Sequence, residues 1–110
     1  MSSILDDVKH MLGHPPEVTA FDRDLIIFIN GVFGTLTQLG VGPVNGYQIT
    51  GSSNQWEEFY TDPRLNSVMS YVFLVTKLEF DPPGTGFVTE AMNRQKLELE
   101  FRLNVMADYG

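Results

Sequence analysis

His10 and His14 stand four residues apart, a spacing that on a continuous helix would aim two imidazoles at one metal ion. Gly13 and Pro15 flank His14 and should end the helix before the second ring, which leaves two exposed turn histidines and no metal site. Asp6, Asp7, Asp22 and Asp24 suggest paired carboxylates for acid–base work, yet each falls in a first turn, where a carboxylate serves the positive end of a helix. Gly40-x-Gly42 lacks the remaining glycine and the lysine of a phosphate loop, Gly31-x-x-Gly34 lies inside a helix, and no serine occupies a nucleophile elbow. Trp56, Phe59 and Tyr60 offer faces for base stacking, but no lysine or arginine is interleaved, so they read as a packed satellite cluster. No cysteine is present, which removes thiolate metal sites, disulfides and thiol chemistry. The reading is therefore a non-enzyme with no cofactor and no metal.

The elements that position these residues are bounded by size and charge. The 110 residues, 43% of them hydrophobic, fit one domain with its own core. Fourteen acidic residues against seven basic ones give a net charge of -7, a sign that opposes wrapping a phosphate backbone. The start, Met1 to Asp7, is acidic and lacks the basic and apolar regions of an export signal. Leu25 to Val41 carries no charge, but its three glycines and its polar Asn30, Thr35, Thr37 and Gln38 suit a buried central helix better than a membrane span.

The pattern predicts about five helices. The first starts with Ser3 as N-cap, ends at Gly13, buries Ile4, Leu5, Val8, Met11 and Leu12, and turns Asp7, Lys9 and His10 to solvent. The second opens at Thr19 with Asp22 in the reciprocal capping position, runs to Leu39 and closes at Gly40. Its stripe is Leu25, Phe28, Ile29, Val32, Leu36 and Leu39, and its wide apolar girth makes it the expected most enclosed element. Gly31 and Gly34 within it imply close approach by another helix. Residues 41–53 form a long irregular loop, Asn54 caps a brief helix carrying Trp56, and Asp62-Pro63 opens a fourth helix reaching Phe80. Phe80-Asp81-Pro82-Pro83 cannot continue a helix and makes a fixed corner before the fifth.

The fifth segment alternates Leu97, Leu99, Phe101, Leu103 and Val105 with polar residues, the period of a strand. Its helix-forming composition and the lack of a pairing strand favour helix. On a helix, Val88, Met92, Leu99, Leu103 and Met106 make one stripe, and Leu97, Phe101 and Val105 a second on another side. Either a broader core or a subunit interface accounts for that second stripe.

Ile4-Leu5-Asp6-Asp7-Val8-Lys9, Phe21-Asp22, Ile29-Asn30, Leu39-Gly40-Val41-Gly42-Pro43, Trp56 with Phe59, Phe80-Asp81-Pro82-Pro83, Phe87-Val88 and Glu90-Ala91-Met92 follow one another in an order that is fairly specific. In that order the chain resembles, nearly end to end, the head-tail connector proteins of long-tailed double-stranded DNA phages and prophages. These are also called adaptors, head-completion or DNA-packaging proteins. The resemblance implies an all-α subunit of a homo-oligomeric ring beneath the portal protein, completing the DNA-filled head at the head–tail junction of the virion. The tail or a further completion protein docks on it, after assembly in the bacterial host cytoplasm. DNA would pass through its channel without sequence-specific binding, and no membrane is involved. In that setting Leu97, Phe101 and Val105 are candidates for subunit or portal contact, and Pro43, Asn45, Gly46 and Tyr47 for a lumen-facing or docking element. A small acidic phage-encoded module that binds a host protein is the alternative, and self-association separates the two.

Overall fold

Ser3 Oγ accepts from the Asp6 amide at 3.2 Å and starts α1 (Ile4–Met11), as its position before an apolar run predicts. Gly13, at φ +84°, closes the helix: its N–H donates to His10 O and that of His14 to Lys9 O, the paired bonds of a Schellman stop. α2 (Asp22–Gln38) ends in the same way at Gly40, with Val41 N–H donating to Leu36 O and the Val41 side chain buried. α3 (Ser67–Phe80) stops at Asp81, and α4 (Gly86–Tyr109) follows the proline corner. Single 3₁₀ turns at Trp56–Glu58 and Pro63–Leu65 stand where the brief helix and the first turn of the fourth were expected. The computed structural model describes residues 2–109. The chain is all-helical, α4 included, and strand-like alternation in its sequence does not make it a strand. Among the described residues no helix is long and apolar enough to cross a membrane.

α3 lies in the middle. It packs on α2 along one side and on α4 along another, and it also touches α1. Tyr71 and Val72, both fully buried, sit with Val68, Leu74 and Val75 in a core shared with Ile4, Leu5, Leu25, Ile29, Phe33, Leu36, Leu99 and Leu103. Trp56 and Phe59 are part of that core and not a satellite, because Phe33 reaches them with ring centroids 6.5 and 4.6 Å away. The molecule is a slab of about 39 × 36 × 20 Å.

Several expectations are corrected. α2 begins at Asp22 and not at a Thr19 cap: Thr19 O accepts from Asp22 N in a preceding turn, and Asp22 faces Lys9. Lys9 is buried and not turned to solvent, its Nζ 2.9 Å from Asp22 Oδ1 and 2.9 Å from Pro16 O. Asp7 accepts from Trp56 Nε1 at 2.8 Å. α3, not α2, is the most enclosed helix, since α2 leaves Ile27, Gly31 and Gly34 on an open face. Among the described residues no helix approaches the two glycines. Asn54 does not cap the turn at Trp56; Gln55 does, with Glu58 completing the box, while Asn54 Oδ1 accepts from Thr50 and Gly51. Val88, assigned to the buried stripe, is exposed at the start of α4, ahead of the part that meets the core.

Thr76 is fully buried and its hydroxyl has no hydrogen-bond partner among the described residues. A buried unpaired hydroxyl costs about 1–3 kcal/mol, and valine has nearly the same shape without it. Thr76→Val should therefore raise the urea midpoint, by about 1 kcal/mol of stability; a lowered midpoint would mean that the hydroxyl serves the fold.

Candidate interaction surface

One side of α4 is held tightly. Leu99 and Leu103 sink into the core, Glu100 accepts from the Tyr71 hydroxyl at 2.6 Å, and Asn104 Nδ2 donates to Leu39 O at 3.1 Å. These contacts fix the helix's rotation and so decide what its other side presents. There Leu97 is 64% exposed, Phe101 70% and Phe87 79%, with Val105 half-buried beside them. Phe87, Arg94 and Phe101 are seven apart, which aligns them along one ridge. Glu98 and Arg102, joined as an ion pair, flank it. Phe87 belongs to this face although the sequence places it only as the restart after the corner; the seven-residue spacing to Phe101 is the signal that finds it.

The corner is braced from outside the last two helices. Phe80 stacks edge-on against Phe21, Phe28 and His14 at centroid distances of 5.8, 5.9 and 6.0 Å, so the end of α3 is fastened to the connector before α2. Lys77 Nζ lies 2.8 Å from Asp81 Oδ2, and that hydrogen bond holds the Asp81 carboxyl below its usual range. Pro82 is exposed and Pro83 half-buried. His14 is thereby part of an aromatic cluster, whereas His10 is exposed on α1. With α1 ending at Met11, the two histidines do not share a helix.

The loop after α2 is irregular yet anchored. Asn30 clamps it, Oδ1 accepting from Ile49 N at 2.8 Å and Nδ2 donating to Ile49 O at 3.1 Å, and Ile49 is buried. Gly42, at φ +89°, lies where any side chain would collide with the Phe59 ring. Pro43, Val44 and Asn45 form the exposed tip. Gly46 and Tyr47 are half-buried; the Tyr47 ring packs on Phe33 at 5.2 Å and its hydroxyl donates to Glu58 Oε1 at 2.9 Å. Gly40, Gly42 and Pro43 face Met106 and Ala107 across a cleft of about 450 Å³. The loop base and the last turns of α4 thus adjoin, while the corner lies about 30 Å away at the other end of that helix.

Burial, then the neighbouring Glu58, pushes the Tyr47 phenol up to about 12. Burial, then the bond to Glu100, raises Tyr71 as well. Above pH 10 the unfolded chain ionises these phenols and the folded one does not, so the unfolded state binds fewer protons and stability must fall as pH rises from about 10 toward 12. A melting series from pH 8 to 12 should show that fall, and Tyr47→Phe with Tyr71→Phe should flatten it; an equal fall in the double variant would locate the effect elsewhere.

A family model described as Phage connector protein matches residues 4–110. No curated protein and no solved structure matches the chain.

Proposed function

The chain belongs to the phage head-tail connector family, and from that premise we propose that it assembles as a ring beneath the portal, as one helical domain spanning residues 1–110. Family membership makes it a structural component of the virion that meets other phage proteins, in a family that is structural and not catalytic. In this reading the ring completes the DNA-filled head at the head–tail junction, after assembly in the host cytoplasm. It offers the platform on which the tail or a further completion protein docks.

The observation that carries the proposal is the outer side of α4, where Leu97 and Phe101 stand clear on a helix whose opposite side is locked into the core. Apolar surface held so firmly outward is what a neighbouring subunit or the portal would cover. The braced corner at Phe80, Asp81, Pro82 and Pro83 sets the angle of that helix. The tip at Pro43, Asn45 and Gly46, held by Tyr47, is the lumen-facing or docking element. A net charge of -7 suits a wall past which DNA slides without sticking.

Light scattering of the purified chain, alone and then with portal protein, tests this. A multi-subunit mass in either case is expected. A monomer that ignores the portal would favour an acidic module aimed at a host protein.

A further inference from the structure

Because α3 is central, α2 and α4 each keep a face turned away from it. On α4 that face is the ridge of Leu97 and Phe101. On α2 it holds Asp24, Ile27, Gly31 and Gly34, all exposed, with Ile27 at 61%. Neither glycine has a positive φ, so the backbone does not require them, and among the described residues nothing lies within 4 Å of where their side chains would stand. Inside the subunit they only weaken the helix.

The two faces share a register. Asp24, Ile27 and Gly31 are spaced by three and four residues, and so are Arg94, Leu97 and Phe101. Laid parallel, the Asp24 carboxylate meets the Arg94 guanidinium, Ile27 meets Leu97, and the Phe101 ring enters the hollow left at Gly31. Among the described residues neither Asp24 nor Arg94 has an ion-pair partner within the subunit.

We propose that the α4 ridge of one copy docks along the outer face of α2 in the next, with Phe101 over Gly31 and Arg94 against Asp24. This rests on the self-assembly reading and names the surface that receives the ridge. The two faces differ, so the contact is heterologous and propagates head to tail until a ring closes. Ridge-to-ridge pairing would stop at a dimer and leave the α2 face bare.

The chain lacks cysteine, so Ile27→Cys and Leu97→Cys introduce the only thiols. Oxidation of the full chain, under conditions where the wild type assembles, should give a ladder of dimers, trimers and larger species from the double variant and none from either single variant. Dimers from Leu97→Cys alone would overturn the contact. As a second readout, Asp24→Arg and Arg94→Asp should each weaken assembly at least ~10-fold, and together restore it, as close charge pairs across interfaces do. Charge variants that all assemble like the wild type would overturn the α2 contact while leaving self-assembly intact. A wild-type chain that stays monomeric with and without portal would overturn both.

Discussion

Phe101→Asp should leave a folded subunit that no longer assembles. The side chain is 70% exposed, so its replacement removes almost nothing from the core, and folding stability should stay within about 0.5 kcal/mol of the wild type. In the proposed assembly the same position is covered, and a carboxylate there would be taken out of water without a partner. That penalty is several kcal/mol, enough to weaken subunit contact by more than about 100-fold. Circular dichroism and urea unfolding would report the intact fold, and electron micrographs the absence of rings. Intact rings of the variant would remove α4 from the interface.

Asp22→Ala should be the most damaging single change to the fold among those considered. Lys9 is buried, and its ammonium rests on Asp22 Oδ1 and Pro16 O, tying α1 to the start of α2 and to the connector between them. Removing the carboxylate leaves a buried cation with one carbonyl. Breaking such a pair costs about 3–5 kcal/mol when both partners are buried. Asp22 keeps a side-chain exposure of 27%, so water tempers the loss to about 2–3 kcal/mol. Lys9→Met added to Asp22→Ala should recover most of it, because no charge is then left without a partner. Urea midpoints at unchanged slope would measure both effects. A single variant within about 0.5 kcal/mol of the wild type would show that the ion pair is dispensable.

The parts of the fold written in local chemistry were legible. Ser3 caps because its oxygen reaches an amide three residues on; Gly13 and Gly40 stop helices because a left-handed residue is needed there. Phe80 ends α3 because two prolines follow it closely. α4 is a helix despite its alternation, since residues such as Glu98, Glu100 and Arg102 form helices readily and no strand exists among the described residues to pair with it. Its two apolar stripes left open whether the second joins a broader core or stands outside it; Leu97 and Phe101 stand outside, and Val105 is half-buried.

What stayed hidden depends on partners distant in the chain. Lys9 reads as a solvent residue because nothing nearby in sequence reveals Asp22 beside it. The Thr19 cap fails for the same reason: the turn at Asp22 answers to Lys9. Asn30 looks like a polar interruption of an apolar helix, yet it is the clamp that holds Ile49 and with it the long loop. Gly31 and Gly34 were conspicuous, but sequence alone cannot say whether a glycine faces a neighbour within the subunit or open space. The wide apolar girth of α2, Ile27 included, made it and not α3 look like the centre, yet Ile27 stands exposed.

Leu97→Cys offers the most direct measurement, as the sole thiol of the chain and on the crest of the α4 ridge. Its rate of maleimide labelling, compared between monomer at low concentration and the assembled form, reads whether that crest is covered. Labelling at least ~10-fold slower in the assembly is expected if subunits bury the ridge. Equal rates in the two states would contradict it, leaving α4 outside whatever contact joins the copies.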